Sequence, residues 1–216
     1  MKASSLLKKV KADYSAIAEA FDETRKAPWP EFEDLWKGTV SRLNRKTLKL
    51  LDVGCGNGRL LNFLPNDAVD YRGVDNNRAL LSLAKKRHPK AKFRYADALK
   101  LPFPNATFDT VWCIAMLHHL PASLQLNALK EMHRVLKKNG VLALTVWNLF
   151  QPRYKKFVNR TTHESLIPWG KDKSILRYYY AFTNLELKNL LKKAGFSSLK
   201  KIKSKHNLVY LCTRRD

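Results

Sequence analysis

The sequence predicts an α/β fold in which a central, mostly parallel sheet is covered by helices on both faces. Three observations predict it. Strand-like and helix-like patterns alternate along most of the chain. The apolar strand Leu48–Val53 runs straight into a glycine-rich turn, Gly54-Cys55-Gly56-Asn57-Gly58, and a helix-like stretch follows from Arg59. A second strand-like run, residues 71–74, ends on Asp75, about one strand–helix half-unit downstream, where a carboxylate reaches ribose hydroxyls.

The remaining elements follow in order. Residues 14–21 have helical spacing, with Ile17, Ala18 and Phe21 on one face. Pro28-Trp29-Pro30 breaks that pattern, and residues 32–43 read as a short helix leading to the first strand. The second crossover helix covers about residues 77–87 and stops before His88-Pro89. A third strand spans 92–97, within Tyr95-Ala96-Asp97-Ala98 at its end, and Leu101-Pro102-Phe103-Pro104 leads to a fourth, Phe108–Ile114. After His118-His119-Leu120, residues 125–136 form a helix with Gly140 as its stop, and 141–147 are a fifth strand. Residues 148–181 are irregular, basic and aromatic, and connections of that length are usually functional. Thr183-Asn184-Leu185-Glu186 reads as a capping box opening a helix that ends near Gly195. Residues 198–203 and 208–213 complete a count of seven strands.

A chain of 216 residues is expected to be one domain with a sizeable core. No apolar run approaches membrane-spanning length, and the first residues do not resemble a signal peptide. Cys55, Cys113 and Cys212 are scattered, with no Cys-x-x-Cys, so a reducing cytoplasmic setting and no structural metal are expected. The net charge of +23, from 41 Lys and Arg against 18 acidic residues, would repel itself without a polyanionic partner. Basic clusters at Lys8-Lys9, Lys85-Lys86-Arg87, Arg153 to Lys156 and Lys200 to Lys205 point to nucleic acid, the alternative being a lysine-rich solvated surface.

The turn spacing Gly-x-Gly-x-Gly is one residue shorter than the dinucleotide fingerprint that seats a pyrophosphate. Asp52, just before it, repels a pyrophosphate and favours an ammonium or sulfonium group. S-adenosylmethionine carries both and therefore fits better than NAD; a tight strand-to-helix turn without a ligand is the other reading. With Asp97-Ala98 placed to meet an adenine edge, the order of motifs over residues 48–147 resembles the class I S-adenosylmethionine-dependent methyltransferases. The resemblance implies a Rossmann-like seven-stranded sheet of order 3-2-1-4-5-7-6 with the last strand antiparallel. It also implies cofactor contacts from Asp52, Gly54, Gly56, Asn57, Asp75, Asn76, Asp97, Ala98 and Ile114, with Tyr14 closing over them.

The flanks narrow the resemblance. Tyr14-Ser15-Ala16-Ile17-Ala18, Phe21 to Arg25, Pro28-Trp29-Pro30, Val146-Trp147-Asn148 with Gln151, Ile167-Pro168-Trp169-Gly170 and Arg177 to Phe182 together resemble the tRNA wobble-uridine carboxymethyl methyltransferases, which stand alone or are fused to an AlkB-type hydroxylase. That likeness divides the single domain into an N-terminal helical lid (1–46), a cofactor-binding core (47–147), a basic and aromatic substrate insertion (148–182) and a C-terminal helix with two strands (183–216). It implies methyl esterification of a carboxymethyl-type wobble uridine in the anticodon loop. The family's Arg-Tyr-Tyr-His run reads Arg-Tyr-Tyr-Tyr here, so Tyr180 stands in the histidine's place, which puts an acid–base role there in doubt and admits a carboxymethoxy substrate.

A carboxylate, with a pKa near ~4, is ionised at neutral pH and attacks a sulfonium methyl without a general base. What the protein must supply is position. Arg25, Arg177 and His119 are the candidate catalytic residues, Arg25 alternatively clasping the cofactor carboxylate and Arg177 a phosphate. Trp147 and Trp169 are placed to sandwich a splayed uracil, with Tyr178 and Tyr179 beside them, and His118 is assigned to packing. The rivals are a lipoquinone-type small-molecule methyltransferase and a non-catalytic RNA-binding module. The expected partners are tRNA and S-adenosylmethionine, with a monomeric chain and no membrane. The third strand carries Lys92 and Arg94 beside Phe93 and Tyr95, the latter two packing on a crossover helix, so a small zinc-binding activator of the kind the family uses is expected to be dispensable.

Overall fold

The computed structural model describes residues 2–170 and 173–215. Its strands are β1 (Leu48–Val53), β2 (Val69–Asp75), β3 (Lys92–Tyr95), β4 (Phe108–Ile114), β5 (Leu136–Trp147), β6 (Glu164–Trp169), β7 (Ile175–Tyr180), β8 (Phe196–Ile202) and β9 (Asn207–Arg214). Its helices are α1 (Ala3–Ala16), α2 (Ala18–Thr24), α3 (Glu31–Leu43), α4 (Arg78–Arg87), α5 (Ala122–Val135) and α6 (Asn184–Lys193). Seven strands form one sheet in the order β3-β2-β1-β4-β5-β9-β8. β1 to β5 are parallel and β9 runs antiparallel to both neighbours. This is the expected order, with β8 and β9 as its last two strands.

Strands β1 and β4 are buried almost end to end because helices cover both faces of a parallel sheet. Alternate residues serve opposite cores. Leu51, Val53, Val111 and Cys113 face α5 and α6, whereas Leu50 and Trp112 face Phe32 and Leu35 of α3 with Leu60 and Leu64. Trp112 has no exposed surface; truncating such a ring to alanine costs about 3–5 kcal/mol. The capping box that starts α6 forms as read, Thr183 and Glu186 each accepting the other's backbone N–H.

Four expectations need correction. The stretch after Arg59 is two 3-10 turns, Arg59–Asn62 and Asn66–Ala68, rather than an α-helix. Only six residues lie between Gly58 and Pro65, too few to offset helix nucleation, and the residue before proline is driven from the helical region. Gly140 does not stop α5, which passes directly into β5. A Cβ there would lie 2.7 Å from the Lys137 carbonyl, and the left-handed residue is Asn139 at φ 61°. The irregular segment contains regular structure: β6 and β7 form a separate antiparallel hairpin, Glu164 opposite Tyr180 and Trp169 opposite Ile175. Finally, Tyr95 on edge strand β3 is not buried against its crossover helix and meets cationic side chains of α4 and α1. It is 41% exposed, with the Arg78 guanidinium over its ring at 4.4 Å and Lys11 Nζ donating to its hydroxyl. Phe93 does pack, edge-on against Tyr71.

The sheet order reverses between β1 and β4: from β1 the chain goes to β2 and β3 on one side, and β4 and the rest lie on the other. Ligands of open α/β sheets bind in the crevice at the strand C-termini there. Helices α1 and α2 meet the β6–β7 hairpin at that crevice, through Tyr14 with Arg177 and Phe21 with Trp169. Among the described residues no helix is long and apolar enough to cross a membrane.

Candidate active site

One cavity opens at the switch point. Its wall includes Asp52, Gly54, Gly56, Asn57 and Arg59 after β1, Asp75, Asn76 and Asn77 after β2, Ile114, Met116, His118 and His119 after β4, Trp147, Arg177, and Tyr14, Phe21, Arg25 and Trp29 from the N-terminal segment.

The end built on β1 and β2 is held by backbone. Asp75 accepts the Gly56 N–H at 2.9 Å with one oxygen and the Asn77 N–H at 2.8 Å with the other. Burial nevertheless raises its pKa, the backbone bonds opposing that rise. Gly56 sits at φ 53°, and a Cβ there would meet nothing closer than 3.9 Å, so the turn leaves open space above its backbone. Gly54 is glycine for a different reason: at φ 76° a Cβ would lie 2.3 Å from Met116 Cγ. Asp52 is 2% exposed; burial pushes its carboxyl up to about 7, against the Tyr71 hydroxyl that donates to it at 2.9 Å. Arg59 lies over Trp29 at 4.7 Å, and burial, then the Arg25 cation, lower its pKa to about 10. Carboxylates for ribose hydroxyls and an ammonium, guanidiniums for a carboxylate, and an open glycine backbone are a donor set that fits S-adenosylmethionine.

The other end is assembled from distant segments. Strand alternation puts Arg177 and Tyr179 on one face of β7 and Tyr178 and Tyr180 on the other. Arg177 is 4% exposed. Its guanidinium lies over Trp169 at 4.3 Å, Tyr179 at 5.2 Å, Tyr14 at 5.7 Å and Trp147 at 5.8 Å. Its Nη1 donates to the Tyr14 hydroxyl at 3.1 Å, whereas its buried Nε has no partner among the described residues. The proton order around Tyr14 is fixed. His119 Nδ1 is 2.9 Å from the Tyr178 carbonyl, which only accepts, so Nδ1 carries the hydrogen. Burial, with the Arg177 charge, lowers the His119 pKa to about 3, although the Tyr178 carbonyl bond opposes this. The ring is therefore neutral, and Nε2 accepts from the Tyr14 hydroxyl at 2.9 Å.

The N-terminal segment is tied to the core by side chains to which the sequence assigned no such role. Asp22 takes Arg87 and Asn57 as donors, whose hydrogen bonds hold its carboxyl down against burial. Asn77 caps α4 with its oxygen and donates to the Lys11 carbonyl and Ser15 from its nitrogen. Asn57, expected at the cofactor, spends its side chain on Asp22 and the Arg25 carbonyl while its backbone stays in the wall.

Of the expected site residues, Tyr14, Asp52, Gly54, Gly56, Asn57, Asp75, Asn76, Ile114, Arg25, His119, Trp147 and Arg177 share this wall. Asp97 and Ala98 do not: Asp97 is exposed and folds back to accept the Leu99 N–H, and Ala98 packs against the core. The tryptophan sandwich does not form either. Trp147 already stacks on Tyr179 and Tyr154, and both indoles turn toward Arg177. Tyr179 has no exposed surface, and Tyr178 turns away to donate to Glu164. Tyr180 donates to Glu186 at 3.2 Å outside the cavity, so the residue at the departing position does not touch the pocket. Wall residues with no site role assigned from the sequence are Arg59, whose signal was only a basic residue after the third glycine, Met116, which carries no motif, and Phe21 and Trp29, which entered only as part of the flanking lid.

A family profile described as a methyltransferase domain matches residues 51–144. The tRNA (carboxymethyluridine(34)-5-O)-methyltransferase of Schizosaccharomyces pombe is 30% identical, the match covering 86% of this chain and 87% of that protein. The alkbh8 protein of Xenopus tropicalis, bearing the same enzyme name, is 34% identical over 81% of this chain, which spans only 26% of that longer protein. Among solved structures, the 1,6-didemethyltoxoflavin-N1-methyltransferase of Burkholderia thailandensis, with S-adenosylhomocysteine bound, has a TM-score of 0.70 at 19% identity. That match covers all of this chain and 92% of the other, a likeness of fold alone.

Proposed function

The chain belongs to the tRNA (carboxymethyluridine(34)-5-O)-methyltransferase family, and from that premise we propose that its cavity esterifies the carboxylate of a carboxymethyl-type wobble uridine in tRNA. It is an S-adenosylmethionine-dependent methyltransferase. Bound S-adenosylmethionine supplies the electrophilic methyl group.

The observation that carries the substrate reading is Arg177: a buried guanidinium in the cavity wall with one nitrogen bonded to Tyr14 and its Nε without a partner among the described residues. The Nε edge of an arginine receives a carboxylate through two parallel bonds. The substrate carboxylate is already ionised, so no side chain need remove a proton, in keeping with a neutral His119 whose Nε2 is taken by Tyr14. His119 and Tyr14 instead fix the guanidinium, and position is what this reaction needs. Transfer converts the carboxylate to a neutral ester, and an arginine that held only the charged form would oppose it. The four rings around Arg177 stabilise its cation alike before and after transfer, so they hold the guanidinium in place without deepening its grip on the charged form.

A lipoquinone-type substrate gives no use to a caged cation, and the wall of Asp52, Asp75 and open Gly56 supports a working cofactor site over a fossil one. As part of the same proposal, the chain is cytoplasmic, monomeric and active without a zinc-binding activator. Exposed Lys92 and Arg94 and the cation-capped Tyr95 on β3 support this. Nucleoside mass spectrometry of tRNA incubated with the purified chain and S-adenosylmethionine tests it. A methyl ester of carboxymethyluridine is expected; its absence, or its appearance only with an added zinc-binding protein, contradicts the corresponding part.

A further inference from the structure

The connection between β5 and β6, residues 148–163, contains Arg153, Lys155, Lys156 and Arg160 and no acidic residue. All four cations are exposed, and none is in an ion pair among the described residues. Arg87, Arg134 and Lys137 pair with Asp22, Glu131 and Asp109. With 41 Lys and Arg against 18 acidic residues, many cations elsewhere also lack a carboxylate. What sets these four apart is the aromatic side chains beside them. The connection is also anchored. Leu149 and Val158 are buried with Ile167 and Tyr179, and Val158 bridges Ser165 of β6.

Aromatic rings lead outward from the cavity to this surface. His118 stacks on Tyr179, Tyr179 on Trp147, and Trp147 on Tyr154 at 5.6 Å, with Arg153 over Tyr154 at 5.3 Å. The next residue, Lys155, lines a shallow cleft with Phe150, Val158 and Arg160. Phe150 is 38% exposed and held edge-on by His163. A part-exposed ring that shares a cleft with two cations in no ion pair among the described residues is an arrangement that binds a base by stacking and its phosphate by charge.

We propose that this cleft is a second nucleotide subsite. It seats an unpaired RNA nucleotide adjoining the one whose base enters the cavity, Phe150 under its base and Lys155 and Arg160 on its phosphate. The identity of the nucleotide in the cavity rests on the wobble-uridine reading; the cleft's preference for single-stranded RNA rests on its own residues.

The test compares Lys155→Glu/Arg160→Glu with Lys192→Glu/Lys193→Glu, an equal charge change at the end of α6, beside the start of β8 and away from the strand C-termini. An anticodon stem–loop RNA is titrated by fluorescence anisotropy over a salt series, and S-adenosylmethionine by calorimetry. The cleft pair is expected to weaken RNA binding by about tenfold to a hundredfold and to lower the salt slope by about 1.5. The α6 pair should change binding by less than about threefold, and cofactor affinity should stay unchanged in both. Phe150→Ala should weaken RNA binding by about fivefold or more at an unaltered slope. If the glutamate pair also loses the cofactor, Lys155→Gln/Arg160→Gln reports the same contacts at half the charge change. Equal effects of the cleft and α6 pairs overturn the subsite and leave a diffuse basic surface. So does RNA binding unchanged by the cleft pair, which would fit an acidic protein partner. Dependence on Lys155 and Arg160 in a chain that methylates no carboxymethyluridine tRNA would overturn the wobble-uridine reading and keep the subsite; normal methylation without that dependence would do the reverse.

Discussion

The two ends of the cavity are built by different means. The cofactor end comes from consecutive strand–turn units, and its key carboxylate, Asp75, is fixed by backbone N–H groups within a few residues of the sheet. The substrate end joins Tyr14, His119 and Arg177, and the Tyr14–Arg177 bond spans 163 residues of sequence. Side-chain hydrogen bonds and aromatic faces hold it. The first end follows from the fold's strand–turn units; on the proposed reading the second is specific to the substrate. Changes at one end should therefore leave the other intact.

The largest effect should come from the caged cation. Arg177→Gln is expected to lower kcat/KM for carboxymethyluridine tRNA by about a hundredfold or more, since removing one partner of a buried charge pair costs about 2–5 kcal/mol. Calorimetry should find its S-adenosylmethionine affinity unchanged. At the opposite end Asp75→Ala should weaken the cofactor by about tenfold to a hundredfold, the loss of a charged acceptor. At saturating cofactor its turnover should recover. If either variant damages both ends alike, the separation fails.

A smaller effect probes how the substrate end is wired. Tyr14→Phe and His119→Gln each interrupt the path from the Tyr178 carbonyl to Arg177, and each should lower kcat by about tenfold. Because they break one chain, the double variant should lose little more than either single one. Additive losses would mean that the two residues act separately. The kcat profile should show no ionisation from His119 near neutrality, because its pKa lies at about 3.

The smallest effect concerns acidity. Asp52 in the free protein has a pKa of about 7, raised chiefly by burial. A bound ammonium favours the carboxylate and lowers that value, so binding releases a proton. Affinity for S-adenosylmethionine should accordingly rise with pH up to about 7 and level off above it, changing about threefold between pH 7.5 and 6.5. Asp52→Asn should flatten the curve.

The same contrast explains what the sequence made legible. β1, the glycine turn and Asp75 follow one another closely, and a local pattern specifies them. Arg177 was singled out through likeness to known flanks and His119 by its place after the fourth strand, but their geometry was not. Nothing in Arg-Tyr-Tyr-Tyr says which residues face inward until strand alternation on β7 decides it. That alternation sends Tyr180 to Glu186 and removes the apparent departure from the pocket. The Trp147–Trp169 sandwich failed for a related reason: neither ring's spacing shows that a guanidinium turns both indoles toward itself. The β6–β7 hairpin was hidden because its strands carry arginine, proline and exposed leucines among their apolar residues, which blurs the period-two pattern. Asp97 stands outside the cavity wall, where an Asp-Ala pair at a strand end forms an Asx-type turn.

The central claim is that Arg177 receives the substrate carboxylate. The direct measurement compares binding of tRNA bearing 5-carboxymethyluridine with the same tRNA bearing the neutral amide, 5-carbamoylmethyluridine, in the wild type and in Arg177→Gln. The wild type should prefer the carboxylate by about tenfold or more, and the variant should bind the two alike. A preference for the carboxylate that survives in Arg177→Gln would contradict the account.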